Sequence, residues 1–266
     1  GSAAATPTAG RSSPERWASV GTGVPPRLHG VRAVEGILLP GGTHLIQAVS
    51  HADVVLRNFA HRQPLPPTVR RRDYVWEVFA GRGVAVAAVN WWTTDSQSLV
   101  FAAARGNALR VDATAARMVL GNTTRAQFVT VYLPALDIIL NRLPADASAK
   151  LALSARALDA LGALITEVRG RGYDVILIGL PGDRQSGSGV MAWTMPAHTA
   201  QTSAYDVAPT LCALLGFPAT REMPGRSIAS IPELPRIPTF GRRAARAEGN
   251  VNDEYYKSLK SLGYIR

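Results

Sequence analysis

The fold class is decided by DYVWEVFA at residues 73–80, the break GRG at 81–83 and the run VAVAAV at 84–89. The first stretch has the apolar spacing of a helix, and the last is a continuously apolar run of strand length. A strand that is apolar on both faces is typical of a sheet covered by helices on both sides. This part of the chain is therefore predicted to be a helix followed by a buried strand.

The same alternation continues toward the C-terminus. FVTVYL at 128–133 and VILI at 175–178 are further runs of strand length, and residues 147–169 carry large apolar side chains at helical spacing. Helices are also predicted over 205–215 and 253–262, because each apolar pattern is followed by a glycine that ends it. The order predicts an α/β fold, a three-layer αβα sandwich with a mostly parallel central sheet.

Ligands of such sheets collect beyond the carboxyl ends of the strands. In this chain the ends fall at residues 90–94, 134–137 and 179–183. These three segments are therefore the first places to look for a functional site.

Length and composition exclude several classes of protein. The chain has 266 residues, 47% of them hydrophobic and 18% charged, which is enough for a packed core in one large domain or two small ones. Cys212 is the only cysteine, so an internal disulfide and a thiolate zinc cage are excluded. The apolar runs are far shorter than the roughly 18 residues that cross a bilayer.

The charge is strongly positive, at +10, and only three of the 29 basic residues are lysines. A GC-rich genome explains an excess of arginine without any function. An anionic partner explains it as well, because arginine forks suit phosphate and carboxylate groups. Nucleic acid is not favoured, since no recognised motif accompanies the charge. An anionic ligand, a membrane surface and a protein partner all stay open.

The predicted organisation has two parts. Residues 1–12 are rich in Ala, Pro and Thr and are predicted to be a flexible tether or tag remnant. Residues 13–266 are predicted to form a single domain, with a proline-containing and arginine-containing surface strap at 231–249.

A catalytic serine is not supported by the local pattern. Ser19, Thr22 and His29 lie close in sequence, but no strand-to-helix elbow of the Gly-x-Ser-x-Gly type surrounds them. The five histidines are scattered, without the short spacing of a zinc site. We therefore interpret residues 19–29 as a loop rich in proline and glycine.

A resemblance to a known family emerges from residues 17–30, WASVGTGVPPRLHG. They are similar to the W-x-S-x-x-T-G-x-x-P-x-x-H-G stretch of the alkaline phosphatase superfamily, and more narrowly of its type I phosphodiesterase and nucleotide pyrophosphatase branch. Further similar stretches follow in the order of that branch, at 75–78 with 84–92, 205–218, 223–226 and 259–265. The resemblance covers about residues 13 to 266.

The resemblance implies a site in which two divalent metal ions, usually zinc, activate a Thr or Ser nucleophile. Here the family's D-x-x-x-H pair falls on Asp137 and Asn141, so the histidine is replaced. Its S-D-H-G motif falls on residues 179–182, GLPG, so both ligands are replaced. The first aspartate and the nucleophile of the family lie upstream of residue 17 and are not assigned, and His198 is not promoted to a ligand.

These departures predict a non-catalytic member, a pseudoenzyme, that keeps the fold for binding or assembly and holds no metal and no other cofactor. Trp91 and Trp92 are also consistent with a place in the core. The remnant of the site is predicted to be lined by Asp137, Asn141, Trp91, Trp92, Leu180, Pro181 and Asp183.

Two alternatives stay open. The first is a phosphoesterase or phosphodiesterase whose nucleophile lies in a missing N-terminal part. The second is the extracytoplasmic domain of a membrane protein, with its basic surface near anionic headgroups. By analogy with the family, we expect the chain in the periplasm or at the cell surface, with a tether to the membrane through a missing N-terminal segment as one form of this placement.

Overall fold

The structure is a computed structural model that describes residues 1–7, 12–33, 35–38, 45–47, 61–64, 67–91, 108–180, 187–198 and 201–243. The chain divides into two compact units, the first made of Gly1–Val78 with Leu177–Val251 and the second of Phe79–Ile176 with Asn252–Arg266. In the described parts of both, no helix combines the length and the apolar character needed to cross a membrane.

Helices and strands of both units are interspersed along the chain, which confirms the α/β class. The helices are α1 (Ser13–Thr22), α2 (Pro26–His29), α3 (Val75–Ala80), α4 (Ala108–Asn122), α5 (Ala135–Asp137), α6 (Ala147–Gly170) and α7 (Val207–Leu214). The strands are β1 (Ser2–Thr6), β2 (Glu35–Leu38), β3 (Leu45–Gln47), β4 (His61–Pro64), β5 (Val86–Val89), β6 (Phe128–Val131), β7 (Ile176–Gly179), β8 (Gly189–Trp193) and β9 (Thr202–Ser203). Short 3-10 turns lie at Pro67–Val69 and Ala204–Asp206, and a π turn at Ile138–Arg142.

The first unit contains a four-stranded mixed sheet in the order β7-β8-β1-β9. Strand β1 runs antiparallel to β8, with Ser2 opposite Ala192, and parallel to β9, with Ala5 opposite Thr202. The prediction of a flexible tether over residues 1–12 is therefore wrong for Ser2–Thr6. Backbone pairing with β8 on one side and with β9 on the other orders the segment.

The described strands do not form one central sheet. Strands β3, β2 and β4 form an antiparallel sheet in the first unit, and β5 and β6 form a parallel pair in the second. The expected three-layer sandwich around a mostly parallel sheet is thus not confirmed by the strand pairing, although the α/β class is.

Most of the individual elements agree with the sequence analysis. The predicted strands at 84–89, 128–133 and 175–178 are β5, β6 and β7, and the predicted helices at 147–169 and 205–215 are α6 and α7 with its preceding 3-10 turn. Helix α4 was not predicted. The predicted helix at 253–262 lies outside the described residues.

Residues 231–243 of the predicted surface strap contain no helix or strand, and 244–249 lie outside the described residues. The segment is nevertheless fixed to the first unit. The Arg236 guanidinium donates to the carbonyl oxygens of Met223 at 2.8 Å and Gly225 at 2.6 Å, and the Thr239 hydroxyl donates to Glu222 at 2.7 Å.

The stretch interpreted as a loop at residues 19–29 is instead the end of α1 followed by α2. Ser12 begins α1 as its N-cap, with the Glu15 N–H donating to its hydroxyl, and Pro14 is compatible with the first turn. Gly23 ends the helix at φ 71°, and its N–H donates to the Ser19 carbonyl. The capping residues at both ends therefore outweigh the glycine and proline content between residues 19 and 29.

A buried guanidinium organises the residues against which α1 packs. Arg70 is 1% exposed, and it donates to both carboxylate oxygens of Glu77, at 2.6 and 2.7 Å. Its guanidinium carbon also lies 3.9 Å from the centre of the Tyr74 ring. Burial lowers the pKa of Arg70, but its interactions with Tyr74, Glu77 and Asp73 raise it, and the net direction is upward.

Helix α1 reaches this cluster through Gly21. Tyr74 stacks on Trp76 with ring centres 4.7 Å apart. A Cβ atom on Gly21 would lie 2.5 Å from atoms of both rings. The glycine is therefore required by close packing and not by an unusual backbone angle.

We expect Gly21→Ala to destabilise the protein by about 1–3 kcal/mol, because the added methyl group overpacks the two rings. Gly121→Ala is the matched control, since Gly121 also lies in a helix and a Cβ there would meet no atom within 4 Å. The control should be neutral or slightly stabilising. Urea unfolding of both variants checks this, and equal effects of the two substitutions would contradict the packing.

Candidate functional site

The carboxyl ends of the parallel pair β5 and β6 lie side by side in the second unit. Asn90 follows β5 at φ 57°, a left-handed conformation that asparagine tolerates better than most residues. Its side-chain N–H donates to the Tyr132 carbonyl oxygen at 2.8 Å. Trp91 is buried and meets the Tyr132 ring edge-on, with ring centres 6.5 Å apart. Trp91 is therefore a core residue beneath the strand ends.

Asp137 lies just beyond the end of β6, at the junction of α5 and the π turn. Its Oδ1 accepts from the Asn141 amide at 2.8 Å, and its Oδ2 accepts from Nε and Nη2 of Arg142, each at 3.3 Å. Both carboxylate oxygens thus have protein donors. The structure brings together the predicted pair Asp137 and Asn141, and it adds a cation, Arg142, that sequence analysis did not select.

Asp112 is a second carboxylate in this region that sequence analysis missed. It lies on α4, and its Oδ1 accepts from the Ala135 N–H at the start of α5, at 3.1 Å. Burial raises the pKa of Asp112 from 3.8 to about 7, although the hydrogen bond from Ala135 lowers it. A carboxyl group with this pKa exchanges its proton near neutral pH, as a general acid or base does.

Of the four remaining residues that were predicted to line the site, the structure describes only Leu180. Leu180 directly follows β7 in the first unit. Trp92, Pro181 and Asp183 lie outside the described residues.

The donors near Asp137 do not suit the two metal ions that the family resemblance implies. Over the described ranges, no three or more His, Cys, Asp or Glu side chains are grouped so that they could hold a metal ion. A divalent ion needs three or four protein donors in fixed geometry, and at Asp137 it would also have to displace the Arg142 guanidinium. The described residues therefore do not fit the metal site of the family.

A serine and a histidine do meet in the first unit. The Ser19 hydroxyl lies 2.9 Å from Nε2 of His29, and both side chains are fully buried. Burial and the nearby Arg70 charge lower the pKa of His29 from 6.5 to about 3. The ring is therefore neutral near pH 7.

The hydrogen bonds around this pair fix its tautomer. Nδ1 of His29 accepts from the Val31 N–H at 3.1 Å, so the neutral ring carries its proton on Nε2 and donates it to Ser19. The Ser19 hydroxyl in turn donates to the Glu15 carbonyl at 3.1 Å. With its proton directed at the serine, His29 is not a base for Ser19, and the pair is a structural clamp between α1 and α2.

Two further hydroxyl groups stand where α1 begins. Ser12 and Ser13 follow β1 in the chain, and Pro14 comes next. The Ser12 hydroxyl donates to the Arg32 carbonyl at 2.7 Å while it caps α1, so its proton is already used. The Ser-Ser-Pro pattern is typical of a helix start. It was not used in the sequence analysis, because residues 1–12 were interpreted as a tether.

Solved structures with a similar backbone are members of the alkaline phosphatase superfamily, so the chain has an alkaline phosphatase-like fold. Human ectonucleotide pyrophosphatase/phosphodiesterase 5 has a TM-score of 0.50 at 11% identity, and the match covers 89% of this chain and 88% of that protein. The murine protein gives a TM-score of 0.51 with the same identity and coverage. At these identities the similarity establishes the fold alone.

The 2-O GAG sulfatase BT1596 is similar as well, with a TM-score of 0.51 at 12% identity over 85% of this chain. The chain spans only 65% of that sulfatase. No protein-family model matches the chain, and no curated protein matches it in sequence.

We predict that Asp112→Asn stabilises the protein increasingly as the pH rises from about 4 to 7. The pKa of Asp112 is raised from 3.8 to about 7 in the folded state, so the folded protein binds more protons in this window and stability falls as the pH rises. The slope is at most about 1.36 kcal/mol per pH unit. Urea unfolding of both proteins across this range measures it, and a difference independent of pH would contradict the burial of a charge.

The opposite pH dependence is expected at His29. Its folded pKa is lowered from 6.5 to about 3, so stability is present above pH 6.5 and is lost as the pH falls toward 3. His29→Gln cannot titrate, and the stability advantage of wild type over this variant should shrink by up to about 1.36 kcal/mol per pH unit in that window. A constant advantage, measured by the same unfolding assay, would mean that His29 is not buried as a neutral ring.

Proposed function

We propose that this chain is a non-catalytic alkaline phosphatase-like domain, with the three-layer sandwich of that fold, which serves binding or assembly. The observation that carries the proposal is the Asp137 carboxylate, whose two oxygens are bound by Asn141 and Arg142. In the family resemblance, the equivalent positions supply a metal site.

The ion pair replaces the electrostatic role of a metal. Asp137 and Arg142 are about four-fifths shielded from solvent, with 18% and 17% of their side chains exposed. A carboxylate shielded to this extent needs a positive partner, and here a guanidinium takes that role. The cation is then part of the chain, so folding does not depend on a bound divalent ion.

The residues at the position of a second metal-binding motif of the family also support the non-catalytic proposal. The family's S-D-H-G motif corresponds to Gly179, Leu180, Pro181 and Gly182, which offer no side-chain ligand. A two-metal hydrolase needs ions that activate the nucleophile and stabilise the leaving oxygen. Without them, the strand-end region is better suited to holding a ligand than to cleaving one.

An anionic ligand suits the net charge of the chain as a whole. The net charge is +10, and most of the positive charge is arginine, which binds phosphate and carboxylate groups through paired N–H donors. We infer an extracytoplasmic placement from the similarity to an ectonucleotide pyrophosphatase, with a membrane surface or a protein as a further partner.

A phosphoesterase is the second candidate function. It is favoured by the hydroxyl groups of Ser12 and Ser13 at the N-terminus of α1, where the helix dipole attracts anions. It is also favoured by the similar solved structures, which include a sulfatase and a pyrophosphatase/phosphodiesterase. The use of the Ser12 proton in a hydrogen bond to Arg32 argues against it.

Hydrolysis assays separate the two candidates. We expect wild type, Asp137→Asn and a protein-free control to release p-nitrophenol equally slowly from p-nitrophenyl phosphate and bis(p-nitrophenyl) phosphate, with zinc, manganese or magnesium added. Asp159→Asn, an exposed aspartate on α6, is the matched control. Metal-dependent turnover that persists in Asp159→Asn and disappears in Asp137→Asn would refute the non-catalytic proposal.

A further inference from the structure

A group of exposed arginines lies where three segments of the first unit meet. The Arg71 N–H donates to the His29 carbonyl at 2.9 Å, and the Arg71 carbonyl accepts from the Arg243 N–H at 3.0 Å. Exposed arginines stand on all three segments, and they are called the arginine patch below: Arg27, Arg32, Arg71 and Arg242. The backbone hydrogen bonds therefore bring arginines from distant parts of the sequence close together.

Backbone geometry limits the distances within the patch. Because the residue after Arg242 donates to the Arg71 carbonyl, the Cα atoms of Arg71 and Arg242 lie within about 8 Å of each other. The Arg71 side chain extends along the end of α2, since a Cβ atom on Gly30 would lie 3.1 Å from its Cδ and Nε. Arg27 is in that helix, and Arg32 follows Gly30 by two residues. Positive charges at spacings near the Debye length, about 8 Å at physiological ionic strength, add to one local potential.

The acidic residues beside the patch are bound to other arginines. Three ion pairs take up the nearby carboxylates: Arg70–Glu77, Arg72–Glu222 and Arg243–Asp73. The arginines of these pairs are largely shielded from solvent, whereas their sequence neighbours Arg71 and Arg242 are exposed. Among the residues that the structure describes, no carboxylate pairs with an arginine of the patch. Its positive charge is therefore available to an anionic partner.

The exposure of the patch favours an extended anionic partner over a single small anion. An ion pair between exposed groups is weak, so one small anion would be held poorly, and many anionic groups presented together compensate for this. The patch is also compact, because the backbone of Arg71 is bonded to both of the other segments. A compact cluster suits a surface of headgroups, whereas a linear polyanion is suited to a row of cations along one element.

We propose that the arginine patch binds the anionic headgroups of a membrane surface. The contact is electrostatic and stays at the level of the headgroups, because the patch contributes only guanidinium groups. The proposal rests on the membrane partner of the proposed function and deepens it by naming the surface that makes the contact. The patch belongs to the first unit and contains no strand-end residue, so its test involves no hydrolysis and fails separately from the non-catalytic assignment.

Co-sedimentation of the full chain with lipid vesicles tests the proposal. Vesicles of phosphatidylcholine with about 30% phosphatidylglycerol should bind the protein, and vesicles of phosphatidylcholine alone should not. Binding should weaken at least about tenfold between about 50 and 500 mM salt, because salt screens exposed charges. Each arginine that is lost should weaken binding about fivefold, so Arg71→Gln with Arg242→Gln should weaken it about 25-fold.

Arg125→Gln with Arg169→Gln is the matched control. Both arginines are exposed in the second unit, so the net charge falls equally while the patch stays intact, and binding should match wild type. Equal losses in the two double variants would overturn the proposal, because net charge alone would then explain binding.

Two further results would overturn the proposal. The first is the absence of binding to the phosphatidylglycerol vesicles at about 50 mM salt, where electrostatic attraction is strong. The second is patch-dependent binding to soluble dextran sulfate without binding to vesicles, because the partner would then be a polyanionic chain and not a membrane.

Discussion

The first unit depends on one buried charge, the guanidinium of Arg70. Glu77 accepts two hydrogen bonds from it and a third from the Tyr74 N–H, so one carboxylate joins the residues before α3 to the helix itself. Removing either partner of such a pair costs about 3–5 kcal/mol, because a charge is left buried without compensation. Burial and, to a smaller extent, the Arg70 charge lower the pKa of His29, so the ring that joins α1 to α2 is neutral.

The second unit also contains a shielded charge that needs a partner, the carboxylate of Asp137. Asp137 lies where the resemblance expects a metal ligand, and the chain compensates its carboxylate with Arg142 and Asn141. Internal compensation makes the local structure independent of metal supply. Both oxygens of this carboxylate already have protein donors, whereas metal-assisted hydrolysis requires an open coordination position on a bound ion.

The sequence predicted the elements whose apolar pattern is strong. Strands β5, β6 and β7 are continuous apolar runs, and α6 has regularly spaced large side chains. Helix α4 was missed because its buried side consists largely of small residues, with Ala108, Val111, Ala115 and Val119. Strand β1 was missed for the same reason, since alanines carry no apolar signal strong enough to separate a strand from a tether.

The candidate site was predicted in part. Asp137 and Asn141 are four residues apart, so a local motif was enough to pair them. Asp112 was not found, because its link to Ala135 spans 23 residues and requires α4 to be known first. The contact between Arg142 and Asp137 was also beyond sequence analysis, since an arginine next to a motif does not reveal which carboxylate it binds.

Zinc binding measured by isothermal titration calorimetry tests the central claim most directly. The account predicts no stoichiometric binding to wild type at micromolar concentrations, because the Asp137 oxygens already have donors and the described residues around them supply too few ligands. Binding of one or two equivalents of zinc that is lost in Asp137→Asn would contradict it. That result would mean that the Arg142 contact yields to a metal and that Asp137 is a metal ligand, as in the family that the chain resembles.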